Sequence, residues 1–216
     1  MKIVSLNVGK PKPLTADEGS VLSGIWKTSV GTGPIRLTET GFHGDGQADL
    51  VYHGGPDKAI CVYCYEHYPY WEQVMDKPLP HGAFGENLTV QGLTEREIRI
   101  GDIFECGPVR VQVSQPRQPC YKLGKRHDRT ELPLLVLQTG YTGFYFRVLA
   151  AGMFDPTQPL QLVHPDPGGM TLEFANRIFY HDKSNMTGIR RILAVEALSE
   201  AWRTSLEKRL DSTHSS

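Results

Sequence analysis

The run Ile103-Phe104-Glu105-Cys106-Gly107-Pro108-Val109-Arg110-Val111-Gln112-Val113-Ser114-Gln115-Pro116-Arg117-Gln118-Pro119-Cys120-Tyr121-Lys122-Leu123 decides how the chain folds and where its chemistry lies. Val109, Val111 and Val113 alternate with Arg110, Gln112 and Ser114, the period of a strand with one face in a core and the other wet. Cys106-Gly107-Pro108 supplies a tight turn, so the two halves predict a β-hairpin. Pro116 and Pro119 then fix φ and remove two amide donors, which excludes an interior helix or central strand and predicts a shaped loop. Cys120 stands at the end of that loop. Arg117 precedes it and Lys122, Lys125, Arg126 and Arg129 follow; cations that converge on a thiol favour its thiolate. A lone cysteine is more often a buried, inert residue, but the rigid turn and the adjacent arginine make Cys120 the candidate reactive group.

Outward from the hairpin, short strands separated by Gly and Pro turns fill the first three quarters of the chain, the pattern of a barrel or sandwich. They are expected at 3–8, 25–30, 35–38, 59–63, 103–105, 109–114, 145–149 and 160–163. Helices are expected at about 66–75, with Pro69 tolerable in the first turn, and at 132–139, stopped by Gly140. Pro165-Asp166-Pro167-Gly168-Gly169 breaks the pattern. Beyond it, apolar residues recur at helical spacing over 171–180, 187–195 and 198–210. Three helices this short make too thin a bundle to stand alone, so they are expected to dock on the β domain or on another subunit.

At 216 residues the chain can bury a substantial core without disulfide staples. With 23 basic and 24 acidic residues it has no compositional bias toward nucleic acid or a membrane surface, so any anion site is local. Four cysteines without a secreted framework, no signal-peptide pattern and no apolar run of spanning length predict a cytoplasmic protein.

Two further segments carry polar groups at glycine-rich turns. Gly41–Ala59 places His53, Gly54, Gly55 and Lys58 where backbone amides and cations can cradle a phosphate or a pterin; a tight loop with capped turns is an equally good reading of its composition. Gly85-Glu86-Asn87 precedes a strand, and Asn87 can both donate to and accept from a heterocycle edge, although a plain turn explains these residues as well. Cys61-Val62-Tyr63-Cys64, with His67 close behind, invites a metal reading. Residues three apart on a strand point to opposite faces and no second ligand pair follows, so these are expected to be structural cysteines.

Read together, Gly44-Asp45, His53-Gly54-Gly55-Pro56-Asp57-Lys58-Ala59, Gly85-Glu86-Asn87-Leu88, Gly101-Asp102-Ile103-Phe104, the Gln115–Leu123 run and the helical tail resemble the MOSC family, related to the C-terminal part of molybdenum cofactor sulfurases, and within it the bacterial YiiM-type members. The resemblance implies a mainly β fold with some α: a MOSC-type β-barrel with a few short helices over 1–164, then a linker and a C-terminal three-helix domain over 165–216. It implies a molybdenum cofactor (molybdopterin with molybdenum) whose metal is ligated by Cys120. Arg117 and Lys58 are then expected near anionic groups, Gly54 and Gly55 in the cradle, and His53 and Asn87 as hydrogen-bonding positions. It further implies reduction of N-hydroxylated compounds, such as hydroxylaminopurine-type base analogues, and resistance to them. No flavin or iron–sulfur motif is present, so electrons are expected from external flavin or iron–sulfur proteins. A non-catalytic sulfur carrier with a persulfide on Cys120 is the alternative.

Overall fold

The computed structural model describes residues 1–16, 20–48 and 54–214. The strands are β1 (Lys2–Val8), β2 (Lys12–Pro13), β3 (Leu22–Ser23), β4 (Thr28–Ser29), β5 (Ile35–Thr38), β6 (Gly41–Phe42), β7 (Ile60–Cys64), β8 (Leu88–Gln91), β9 (Ile103–Cys106), β10 (Val109–Pro116), β11 (Phe144–Ala150), β12 (Gly152–Phe154) and β13 (Gln161–His164). The helices are α1 (Tyr68–Met75), α2 (Tyr121–His127), α3 (Leu132–Thr139), α4 (Leu172–Asn176), α5 (Met186–Leu193) and α6 (Glu200–His214).

The hairpin is β9 and β10, antiparallel with Val109 opposite Cys106 and Val111 opposite Phe104. Val109, Val111 and Val113 are buried while Arg110 is exposed, as the alternation requires. The hairpin lies within an eight-stranded sheet in the order β13-β9-β10-β11-β7-β8-β1-β4, curled into a half-barrel. The ends approach one another where the Met1 ammonium donates to Leu160 O at 2.6 Å and Leu160 N donates to Met1 O at 2.9 Å.

Two departures from the expected elements matter for the site. The expected strand at 25–30 pairs only at Thr28–Ser29, because the chain turns at Ile25, whose carbonyl accepts from Lys27 N and from the Arg126 guanidinium. The loop ending at Cys120 leads directly into α2, with Cys120 as its N-cap (φ −123°, ψ 168°). The strand expected after Gly85-Glu86-Asn87 is β8, which runs parallel to β7, an arrangement that needs a crossover, supplied here by α1.

The three C-terminal helices dock on the sheet. Leu172, Ala175, Ile178, Ile189, Ile192, Trp202 and Leu206 belong to the same buried cluster as Ile60, Val62, Val111 and Phe146. Polar ties reinforce the seam: Ser199 N donates to Ser114 O at 3.0 Å, and Asn176 Nδ2 donates to Thr142 Oγ1 at 2.9 Å. Among the described residues no helix is long and apolar enough to cross a membrane.

Candidate functional site

Beside the C-terminal end of β10 the chain leaves a cleft with about 630 Å³ of empty space, part of it open to solvent. Arg117 and Cys120 reach it from the loop after β10, Lys122 from α2, Lys58 from the single turn before β7, and Cys61 and Tyr145 from the neighbouring strands β7 and β11. Ile25 and Lys27 form another part of the wall, with Gly85 at close quarters. Gly85 has φ +81°, and a Cβ there would lie 2.9 Å from Ile25 Cγ1, so a side chain would both strain the backbone and press on that wall.

Among the described residues, the cleft holds more cations than anions. Lys27, Lys58, Arg117 and Lys122 are all buried on it. Lys27 is matched by Asp45, its Nζ lying 2.5 and 2.6 Å from the two carboxylate oxygens. Arg117 is only 7% exposed, and among the described residues nothing accepts a hydrogen bond from its Nη1. Desolvation opposes its charge, but the ionisable Cys61, Tyr145, Cys120 and Tyr63 act the other way and prevail, so its pKa is raised and it stays a cation. A buried guanidinium nitrogen without a partner costs about 1–3 kcal/mol or more, a cost that an anionic ligand removes.

The remaining polar groups form a fixed floor. Asn87 accepts from Cys61 N at 3.0 Å through Oδ1, while its Nδ2 donates to Asn7 O at 3.2 Å and to Asp45 Oδ2 at 2.8 Å. Its two amide N–H donors and its carbonyl oxygen are therefore all engaged in holding Asp45 and β7 at the cleft. Glu86, wholly buried, accepts from Tyr68 Oη, from Gly82 N at 2.8 Å, from Phe84 N at 3.0 Å and from Thr89 Oγ1 at 2.8 Å, so it shapes the loop from within. Arg126 donates to Ile25 O and, at 2.6 Å, to Gly82 O, joining two walls.

The two thiols on the cleft differ. Cys120 is partly exposed and makes no capping hydrogen bond to α2. Cys61 is buried, and desolvation pushes its pKa from 9.0 up to about 11 against the pull of Arg117, so it is a neutral thiol at ordinary pH. Burial likewise pushes the Tyr145 phenol up.

Of the residues singled out in the sequence, Cys120, Arg117, Lys58 and Asn87 meet on this cleft. Gly54 and Gly55 lead into the turn Pro56–Lys58, Gly55 with φ 93° as its N-cap, but neither is among the described residues of the cleft wall. His53 lies outside the described residues. Lys27, Asp45, Cys61 and Tyr145 were not foreseen as site residues. For Cys61 and Tyr145 the signal lay in strand pairing, which sets Tyr145 opposite both Cys61 and Gln115.

Cys64 points to the other face of β7, where it meets His67 and Glu95 in a buried cluster with ligand-type atoms within 4.8 Å of one another. Glu95 Oε2 accepts from His67 Nε2 at 2.6 Å and from Cys64 Sγ at 3.8 Å, and Oε1 accepts from Gly143 N at 2.8 Å. These groups satisfy one another.

The model of the MOSC domain matches residues 49–161, and that of the YiiM-like, 3-alpha helix domain matches 170–213. The chain belongs to the MOSC domain family. MOSC domains are associated with molybdenum cofactor binding. An uncharacterized protein of Bacillus subtilis, YflK, is 53% identical over 209 residues, covering 97% of this chain and 94% of its own length. A crystal structure of YiiM from Geobacillus stearothermophilus matches with a TM-score of 0.83 at 44% identity, over 97% of this chain and 98% of that one. A Gibberella moniliformis protein named as a reductase is 36% identical over 139 residues, 62% of this chain and 24% of its own.

Proposed function

We propose that the cleft binds a molybdenum cofactor through Cys120 and that the protein reduces N-hydroxylated compounds with electrons from external flavin or iron–sulfur proteins. The observation that carries this reading is Arg117: a buried cation whose Nη1 has no partner among the described residues, sharing a cleft with a partly exposed thiol. The residues present fit the group. Lys58, Lys122 and Arg117 suit a phosphate and other anionic oxygens, and a thiolate from Cys120 suits a thiophilic metal.

When bound, the cofactor supplies two-electron removal of oxygen from nitrogen, so that R–NHOH with two electrons and two protons gives R–NH₂ and water. The protein's own part is positioning and electrostatics. Arg117 and the lysines hold negative charge in place, while Asp45 neutralises Lys27. Neutral Tyr145 keeps its proton and offers an O–H donor beside Arg117. Cys61 remains a thiol, which leaves metal ligation to Cys120.

The test is metal analysis after expression in a cofactor-producing host. Stoichiometric molybdenum in the wild type, lost in Cys120→Ser together with reduction of a hydroxylaminopurine by supplied electrons, is the expected outcome. A fully loaded wild type that reduces no N-hydroxylated base would refute the activity. Absence of molybdenum, with a persulfide on Cys120 after incubation with a cysteine desulfurase, would select a sulfur carrier instead.

A further inference from the structure

The Cys64–His67–Glu95 cluster lies on the face of β7 away from the cleft, yet one of its hydrogen bonds leads back to Arg117. Pro116 has no N–H, so the last amide tying the end of β10 to the neighbouring chain is that of Arg117, which donates to Gly143 O at 3.0 Å. The position of Gly143 therefore governs where Arg117 leaves the sheet. Gly143 is clamped on every side: Glu95 Oε1 accepts its N–H at 2.8 Å, and Thr142 Oγ1 donates to its carbonyl at 2.9 Å. With φ +69°, and with a would-be Cβ only 2.3 Å from Val62 O, no other residue fits there. His67 and Cys64 hold Glu95, and Asn176 of α4 holds Thr142.

We propose that Glu95 is a positioning residue for Arg117, acting through Gly143, and that the C-terminal helices enter the same clamp through Asn176 and Thr142. Arg117 is buried, hydrogen-bonds Tyr145 and finds no acceptor for Nη1 among the described residues, so where that nitrogen sits in the cleft depends on the backbone from which the side chain leaves the sheet. A clamp on the backbone is then the means of keeping a buried guanidinium pointed at a ligand. The proposal rests on the reading of the cleft as an anion site, but not on which anion it holds.

The experiment is calorimetric titration of the full chain, purified without cofactor, with inorganic phosphate at low ionic strength, alongside thermal melting. Arg117→Ala is expected to weaken phosphate binding by about tenfold or more, the loss of a charge-assisted contact. Glu95→Gln and Thr142→Val are each expected to weaken it by roughly threefold to tenfold, and by less than about twofold when Arg117 is already alanine, because coupled residues are non-additive. A merely structural role predicts lower melting temperatures with unchanged phosphate affinity, or losses that add fully to Arg117→Ala. Either result would overturn the proposal. Should Glu95→Gln fail to fold, Thr142→Val carries the same test from the other side of Gly143. Phosphate affinity indifferent to Arg117→Ala would remove the anion reading of the cleft and this role with it, whereas affinity that needs Arg117 but ignores Glu95 and Thr142 would remove only the role.

Discussion

Strand β7 has a cysteine on each face, and the two surroundings differ in how their polar groups are settled. Cys61 faces a cleft where Lys27 has Asp45 but Arg117 Nη1 finds no acceptor among the described residues. Cys64 faces a cluster in which Glu95 accepts from His67, Gly143 and Cys64 itself. Both thiols are pushed up by burial: Cys61 to about 11, Cys64 well above its ordinary value with Glu95 adding to the effect. Burial alone therefore does not distinguish a ligand site from a structural one. What distinguishes them is whether the charges and hydrogen-bonding atoms close on themselves, since a closed set stabilises the fold and an open one awaits a partner.

The largest contrast comes from removing the central charge on each face. Glu95→Ala strands the Gly143 N–H and the His67 Nε2–H in the interior and is expected to cost roughly 3–5 kcal/mol in chemical denaturation. Arg117→Met replaces an incompletely partnered buried cation with an apolar chain of similar length, so its stability change should be under about 1 kcal/mol, or favourable. Equal losses in the two variants would erase the distinction drawn between the faces.

A smaller effect concerns pH. The folded-state pKa of Cys61 is raised from 9.0 to about 11, so its contribution to stability is fully present below pH 9 and is lost as pH rises toward about 11. A shift of this size amounts to about 3 kcal/mol at most. Cys64, Tyr68 and Tyr145 are raised as well and slope in the same direction, so the informative quantity is the difference between wild type and Cys61→Ala. The wild-type stability curve should fall more steeply between pH 9 and about 11; parallel curves would mean that Cys61 already meets water in the folded state.

How far the sequence revealed this arrangement depends on the range of the contacts. The hairpin, the helix ending at Gly140 and the three-helix tail were legible because periodicity and turn residues encode them locally. The opposed directions of Cys61 and Cys64 followed from strand geometry. Their destinations did not, because Tyr145 reaches Cys61 only through the β7–β11 pairing, and Glu95 reaches His67 across 28 positions. Helix α2 was hidden by Pro116 and Pro119, which govern the approach to Cys120 but not the residues after it. Asn87 was legible as a polar group with two-way hydrogen bonding; that it spends this capacity on Cys61, Asn7 and Asp45 is a tertiary fact.

The smallest stability effect is expected at the residue with the greatest consequence for function. Cys120 occupies the N-cap of α2 with extended backbone angles, a position where a hydroxyl accepts from the second or third helical N–H, yet its side chain makes no such bond. Serine is the better cap by physical chemistry, so Cys120→Ser should leave stability unchanged or raise it by up to about 1 kcal/mol. A thiol kept where an oxygen would serve the helix better points to a use for the sulfur itself, and metal ligation in the cationic cleft is such a use. Denaturation of wild type and Cys120→Ser, run beside their molybdenum contents, separates the two roles: a variant that keeps its stability and loses the metal has lost a ligand, whereas a variant destabilised by more than about 1 kcal/mol would show that the thiol serves the fold.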